Sequence, residues 1–96
     1  MQHRLSKHAE ADLRRLYHRS IVEFGAAHAE RYYGRLADAL KTVGEFPGAH
    51  PERPELGGVR VKPFEAHYII YRVRRDDVFI LRILHGRQEI ARHLRG

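Results

Sequence analysis

Two runs of β-branched and aromatic residues place the tightest limits on the fold. They are Tyr68-Ile69-Ile70-Tyr71-Arg72-Val73 and Val78-Phe79-Ile80-Leu81-Arg82-Ile83-Leu84, joined by the charged stretch Arg74-Arg75-Asp76-Asp77. Residues of this kind on either side of a short polar connection are the pattern of an antiparallel β-hairpin. The abrupt change to His85-Gly86-Arg87-Gln88 marks where the sheet stops and a polar corner begins. With an odd number of turn residues, Ile69, Tyr71 and Val73 share a wholly apolar face with Phe79, Leu81 and Ile83. Arg60, Lys62, Tyr68, Ile70, Arg72, Ile80, Arg82 and Leu84 then form an opposite, mixed cationic and apolar face. A slip of one residue would bury Arg82, and an unpaired buried charge costs several kcal/mol, about the whole stability of a small domain.

Upstream, His3-Arg4-Leu5 reads as a short first strand and Ser6 as the N-cap of a helix. Ala9, Leu13, Leu16, Tyr17, Ile21 and Phe24 recur at three- and four-residue steps, with Glu10, Asp12, Arg14, Arg15 and Arg19 mostly between them. Gly25 ends this helix. A second begins at Ala26 or Ala27 with the stripe Ala29, Tyr32, Tyr33, Leu36, Leu40 and Val43, and the short break predicts an antiparallel helical hairpin. Gly34 is expected to allow close approach. Residues 44–58 hold three prolines and four glycines and read as a loop from the helices to the sheet. Val59-Arg60-Val61-Lys62 is an edge-like strand that Pro63 stops, and a short terminal helix runs to about Leu94. The sum is an α+β fold of order βααβββ, with the helical hairpin packed on a small, mainly antiparallel sheet.

Ninety-six residues form a single domain spanning 1–96, since a chain of this size buries only about two thirds of its unfolded surface and has no room for a second core. No apolar run approaches the roughly 18 residues of a membrane span, and the start of the chain leads into a polar helix, so the expected location is cytoplasmic. The chain has no cysteine, which excludes disulfides, thiolate ligands and cysteine nucleophiles. Its eight histidines are widely spaced, with no HExxH or other tight pattern, and there is no phosphate loop; no metal and no cofactor are expected. Residues 1–57 carry 9 Lys and Arg against 8 Asp and Glu, whereas residues 58–96 carry 9 against 4, so the basic excess belongs to the sheet and tail. Such an excess favours nucleic acids or acidic protein partners. A plain nucleic-acid module is disfavoured, because the basic residues are not interleaved with exposed aromatics.

The βααβββ order, Ala9-x-x-Asp12-Leu13 opening the first helix, the Gly25 hinge, Phe46-Pro47, Tyr71-Arg72-Val73 and the segment from Arg82 to Glu89 together resemble the ParE branch of the ParE/RelE toxin superfamily, over essentially the whole chain. The resemblance implies a bacterial toxin of a type II toxin-antitoxin pair, held in a hetero-oligomeric complex by a cognate ParD-like antitoxin with a disordered acidic segment. For the ParE branch it implies DNA gyrase as the target, inhibited by binding. The RelE branch instead cuts messenger RNA on the ribosome.

Cleaving RNA through its 2′-hydroxyl requires a base, an acid and cations around the phosphate. Here Tyr68 occupies the third-strand position where the RelE branch has an arginine, no tyrosine follows Tyr71, and the terminal segment offers only His93 as acid or base. Arg60, Lys62, Arg82, His85 and Arg87 are the residues that an alternative, RNA-cleaving site would use. His85 reads as a strand cap before the Gly86 turn rather than as a proton-transfer group. The favoured reading is non-catalytic, with Arg60, Lys62, Arg72, Arg82, Arg87, Gln88, Arg14 and Arg15 as partner-binding residues and the antitoxin covering the helical hairpin and part of the cationic face.

Overall fold

Ser6 organises the first turn of the chain. Its Oγ accepts from the Ala9 amide at 2.9 Å, satisfying one of the unpaired donors at the start of a helix. The same hydroxyl donates to the Leu81 carbonyl at 2.7 Å, and the Ser6 amide donates to the Ile80 carbonyl at 2.9 Å, so the cap also docks the helix on the sheet. The computed structural model describes residues 1–86 and 88–94. Strand β1 (Gln2–Leu5) leads into α1 (Lys7–Phe24); Gly25, at φ 89°, allows the reversal into α2 (Ala26–Glu45). Two 3₁₀ turns, Pro47–Ala49 and Pro54–Leu56, flank the short strand β2 (Glu52–Arg53), followed by β3 (Val59–Phe64), β4 (His67–Val73), β5 (Asp77–His85) and α3 (Ile90–Leu94).

The sheet order is β1-β5-β4-β3-β2, with β1 parallel to β5 and the remaining pairs antiparallel. The expected α+β arrangement and helical hairpin are therefore present. The segment read as a loop additionally supplies β2, which makes β3 an interior strand at Val59 and Arg60. Past those residues β2 ends, so Pro63 is paired with Tyr68 of β4 and, among the described residues, has no second strand neighbour needing its missing amide. The strand continues through it to Phe64.

The predicted faces change in detail. Val73 pairs with Val78 across an even number of residues, the parity rejected above, and the first half of β5 is turned over accordingly: Val78 and Ile80 face the helices, while Phe79 and Leu81 do not. A one-residue bulge follows. Tyr71 pairs with Ile80 but Ile70 with Arg82, leaving Leu81 as the extra residue, and parity is restored so that Ile83 again faces inward opposite Ile69. Strand β3 is inverted as well. Val59 and Val61 join Ile70 and Leu84 in a second apolar cluster, whereas Arg60 and Lys62, opposite Tyr71 and Ile69, lie on the helix side. The sheet thus carries apolar clusters on both faces. The main one joins Ala9, Leu13, Leu36, Leu40 and Val43 to Ile69, Tyr71, Val78, Ile80 and Ile83. Over the other pack Leu56, Tyr68 and Leu81, together with Ile90 and Leu94 of α3.

The helical hairpin overhangs the sheet at its tip, where Ile21 and Phe24, expected in the buried stripe, are 36% and 62% exposed. Gly34 is also exposed, and a Cβ there would meet nothing within 4 Å. Close approach occurs instead at Gly44, where a Cβ would lie 2.5 Å from the Met1 carbonyl oxygen. Gly44→Ala is expected to lower the unfolding free energy by about 2 kcal/mol through overpacking against backbone. Gly34→Ala should raise it by about 0.5–1 kcal/mol, because alanine loses less backbone entropy in a helix. Urea denaturation of the two variants checks both signs.

Candidate partner-binding surface

Antiparallel helices that bury one stripe each on a sheet leave a groove where their opposite flanks diverge. Here the groove runs between α1 and α2 beside β1, with a volume of about 510 Å³. Leu5, Leu13, Tyr17 and Tyr33 form its apolar wall, and Glu10, Arg14 and Glu30 its polar rim. The rings of Tyr17 and Tyr33 meet edge to face at 5.7 Å, which holds the wall's shape without filling it. The two adjacent tyrosines of α2 have different tasks. Tyr32 turns inward against Phe64 at 5.6 Å, while Tyr33 remains 45% exposed in the groove. A smaller depression of about 140 Å³ shares Leu5, Leu13 and Tyr33 and extends the apolar floor to His3, Leu36 and Leu40.

The residues singled out in the sequence do not converge on one site. Arg14 is exposed on the groove rim. Arg15, also exposed, reaches Asp12 at 2.6 Å along the helix. Arg60 donates to the His50 carbonyl at 2.6 Å and lies 3.6 Å from Glu52. Lys62 shares its helix-side face, with part of its surface open. Arg72 is exposed on the other side of the sheet and donates to the Gly57 carbonyl at 3.0 Å. The His85 amide donates to Gln88 Oε1 at 2.7 Å, and Gln88 Nε2 is 3.3 Å from His93 Nε2, so this glutamine braces the corner between β5 and α3. The His85 ring stands 5.4 Å from that of His67. Arg87 lies outside the described residues.

Arg82 departs most from expectation. Its side chain is only 14% exposed, and its Nε and guanidinium nitrogen donate to the two oxygens of Asp12 at 2.8 and 2.9 Å. A longer contact of 3.4 Å reaches the His93 carbonyl on α3. The exposed partner-binding cation anticipated from strand alternation is instead half of a bidentate internal pair. Asp12 was read as lying between the apolar positions of α1, yet it is 6% exposed. Its Oδ2 also accepts from the buried Ile83 amide at 2.9 Å. Burial pushes the Asp12 carboxyl up, but the bond from Arg82, the Ile83 amide and the charges of Arg82 and Arg15 outweigh it and hold the group below the ordinary carboxylate range. The signal was present in the sequence, because Asp12 sits three residues after Ala9 and beside Leu13, on the buried stripe. No alternation rule links it to a strand seventy residues away.

Chemically, the set proposed for RNA cleavage is divided. Arg60 and Lys62 lie on the helix side of β3, whereas the Arg82 guanidinium is occupied by Asp12. No group of three or more His, Cys, Asp or Glu residues arranged to hold a metal ion occurs among the described residues. No helix among them is long and apolar enough to cross a membrane.

Comparison with known proteins places these features in a family. Residues 4–90 match the family model described as ParE toxin of type II toxin-antitoxin system, parDE. The chain is 31% identical over 93 residues to Toxin ParE1 of Caulobacter vibrioides, covering 96% of each protein. It is 29% identical over 92 residues to Toxin ParE of Escherichia coli, covering 94% of this chain and 89% of the relative. Among solved structures, the chromosomal ParDE TA system from P. aeruginosa superposes with a TM-score of 0.78 at 26% identity, over 88% of this chain and 95% of that one.

Removing either member of the internal pair breaks a bidentate bond in a partly buried site. Asp12→Ala and Arg82→Ala should each lower the unfolding free energy by about 3 kcal/mol, and the double variant by less than the sum of the two. Because the Asp12 pKa is depressed in the fold, its contribution is present above the unfolded value of about 3.9 and lost as pH falls through the folded one. Asp12→Asn should remove that part of the acid limb in a pH series of urea melts.

Proposed function

The chain belongs to the ParE toxin family of type II toxin-antitoxin systems, and from that premise we propose that it inhibits DNA gyrase, and with it replication, by binding and not by chemistry of its own. It is the toxin component of such a pair, and its partner is an antitoxin. The observation supporting a binding mode is the position of Arg82. A cation placed to stabilise a scissile phosphate must be free to approach it, and this guanidinium is bound through two nitrogens to Asp12. Arg60 and Lys62 lie on the helix side of the sheet, the opposite face from Arg82, so these three cations do not surround one point.

The cognate antitoxin is proposed to carry an acidic segment that covers the helical hairpin, its apolar side chains entering the groove between α1 and α2 and its acids meeting Arg14 and its neighbours. Helix-in-groove recognition draws its affinity from apolar anchors, with rim charges acting mainly on the association rate. The exposed Tyr33 ring is the groove's largest open aromatic surface. Arg72, Lys62 and Gln88 remain candidates for contact with the antitoxin or the target.

Induced expression in a bacterial host without the antitoxin tests the target. Filamentation, DNA-damage signalling and trapped gyrase cleavage complexes are expected; prompt loss of translation with cut messages would overturn the gyrase reading in favour of RelE-like cleavage. For the antitoxin, Tyr33→Ala should weaken binding by about 10-fold or more, as loss of an interface aromatic does. Arg14→Ala should slow association several-fold at low salt and much less at high salt. Surface plasmon resonance at two ionic strengths separates the two effects, and equal losses from both variants at high salt would contradict the apolar-anchor assignment.

A further inference from the structure

One titratable cluster has no part in the proposed partner surface. His67, at the start of β4, is partly buried beneath α2, and its Nδ1 lies 2.8 Å from the Tyr32 hydroxyl. We propose that the Tyr32–His67 contact is a proton-sensitive joint between α2 and the sheet, closed when the His67 ring is neutral and loosened when it takes up a proton. The inference concerns the free chain and is independent of what its hairpin binds.

The direction follows from the donors and charges around the ring. Burial, reinforced by Glu65 and opposed by Arg35, pushes the Tyr32 hydroxyl up to about 12, so it keeps its proton throughout the range in which histidine titrates. A neutral imidazole protonated at Nε2 can accept that proton at Nδ1, whereas an imidazolium has only donors. Protonation therefore removes the acceptor, and the Tyr32 hydroxyl must turn to remain bonded.

The new charge is also unfavourably placed. On β5 it faces the His85 ring at 5.4 Å, and on α1 it meets the positive field of Arg19. From β3, Phe64 packs against Tyr32 and brings no polar side-chain atom. Glu65, in the β3–β4 turn, is the carboxylate that acts on the ring, and it is paired with Arg35 of α2 at 3.2 Å; Arg35 itself stacks over the Tyr32 ring at 5.4 Å. Burial thus lowers the affinity of His67 for a proton, His85 and Arg19 act in the same sense, and Glu65 opposes them. Since the unfolded ring binds its proton near pH 6.5 and the folded one lower, stability is retained above 6.5 and declines as pH falls from there through the folded value.

The test uses the full chain labelled with ¹⁵N at histidine, followed by ring-nitrogen NMR from pH 8 to pH 5. At pH 8, His67 is expected as the Nε2–H tautomer, with a titration midpoint below 6.5 that Tyr32→Phe moves upward. Between pH 7.5 and 5.5 the melting temperature of the unaltered protein should fall by about 4 °C more than that of His67→Phe. The Nδ1–H tautomer at pH 8, a midpoint at or above 6.5, or equal falls in the two proteins would overturn the joint. If His67→Phe does not fold, the tautomer and the effect of Tyr32→Phe decide the question.

Discussion

The carboxylate of Asp12 stands where a strand is missing. β1 pairs with β5 only as far as Leu5 opposite Ile80, and beyond that point the outer edge of β5 has no neighbouring strand among the described residues. Ser6 Oγ takes the Leu81 carbonyl and Asp12 Oδ2 takes the Ile83 amide, so two side chains from the start of α1 satisfy backbone groups that a longer β1 would have paired. Arg82 then completes the arrangement. It neutralises the carboxylate and, through the His93 carbonyl, connects α1 to the C-terminal helix. A buried ion pair of this kind contributes little net stability, because desolvating the two charges offsets most of their attraction. Its larger effect is on register. A shift of α1 along the sheet would part the carboxylate from both Arg82 and the Ile83 amide.

That constraint explains why the hairpin bulges where it does. The turn after Val73 has an even count, so without correction Ile83 would point away from the helices. Inserting Leu81 before Arg82 returns Ile83 to the main core, sends Leu81 to the second cluster and leaves Arg82 at the edge within reach of Asp12. Phe79, displaced from the core by the same parity, lies beneath Arg74 at 4.1 Å, and Arg74 in turn holds Asp77 through two nitrogens. The polar residues of the turn thereby shelter an aromatic side chain that the helices cannot cover.

Packing of the sheet on both faces also leaves little open apolar surface on the sheet itself. The face expected to be a cationic partner surface is covered in part by α3 and the Pro54–Leu56 turn. Apolar surface left open lies on the helical hairpin instead, in the groove beside Tyr33 and at the overhanging tip with Val22 and Phe24. Exposed apolar area of this kind on a small domain is a mark of a partner surface. It supports the groove as the proposed antitoxin surface.

The order of elements apart from β2, the Ser6 cap, the Gly25 reversal and the inner positions of the two helical stripes were legible in the chain because each depends on residues a few positions apart, where periodicity and capping chemistry act. The family, too, was legible, since its motifs extend over the whole length. What the sequence could not determine was the side of the sheet on which Arg60, Lys62, Phe79 and Ile80 would fall. Alternation assigns faces only relative to a register, and one turn residue or one bulge reverses every assignment beyond it. The same holds for Arg82, which alternation alone made a surface cation. Its role was decided by Asp12, seventy residues earlier in the chain, because a carboxylate held against a sheet edge requires a cation there, and only the folded structure brings the two together.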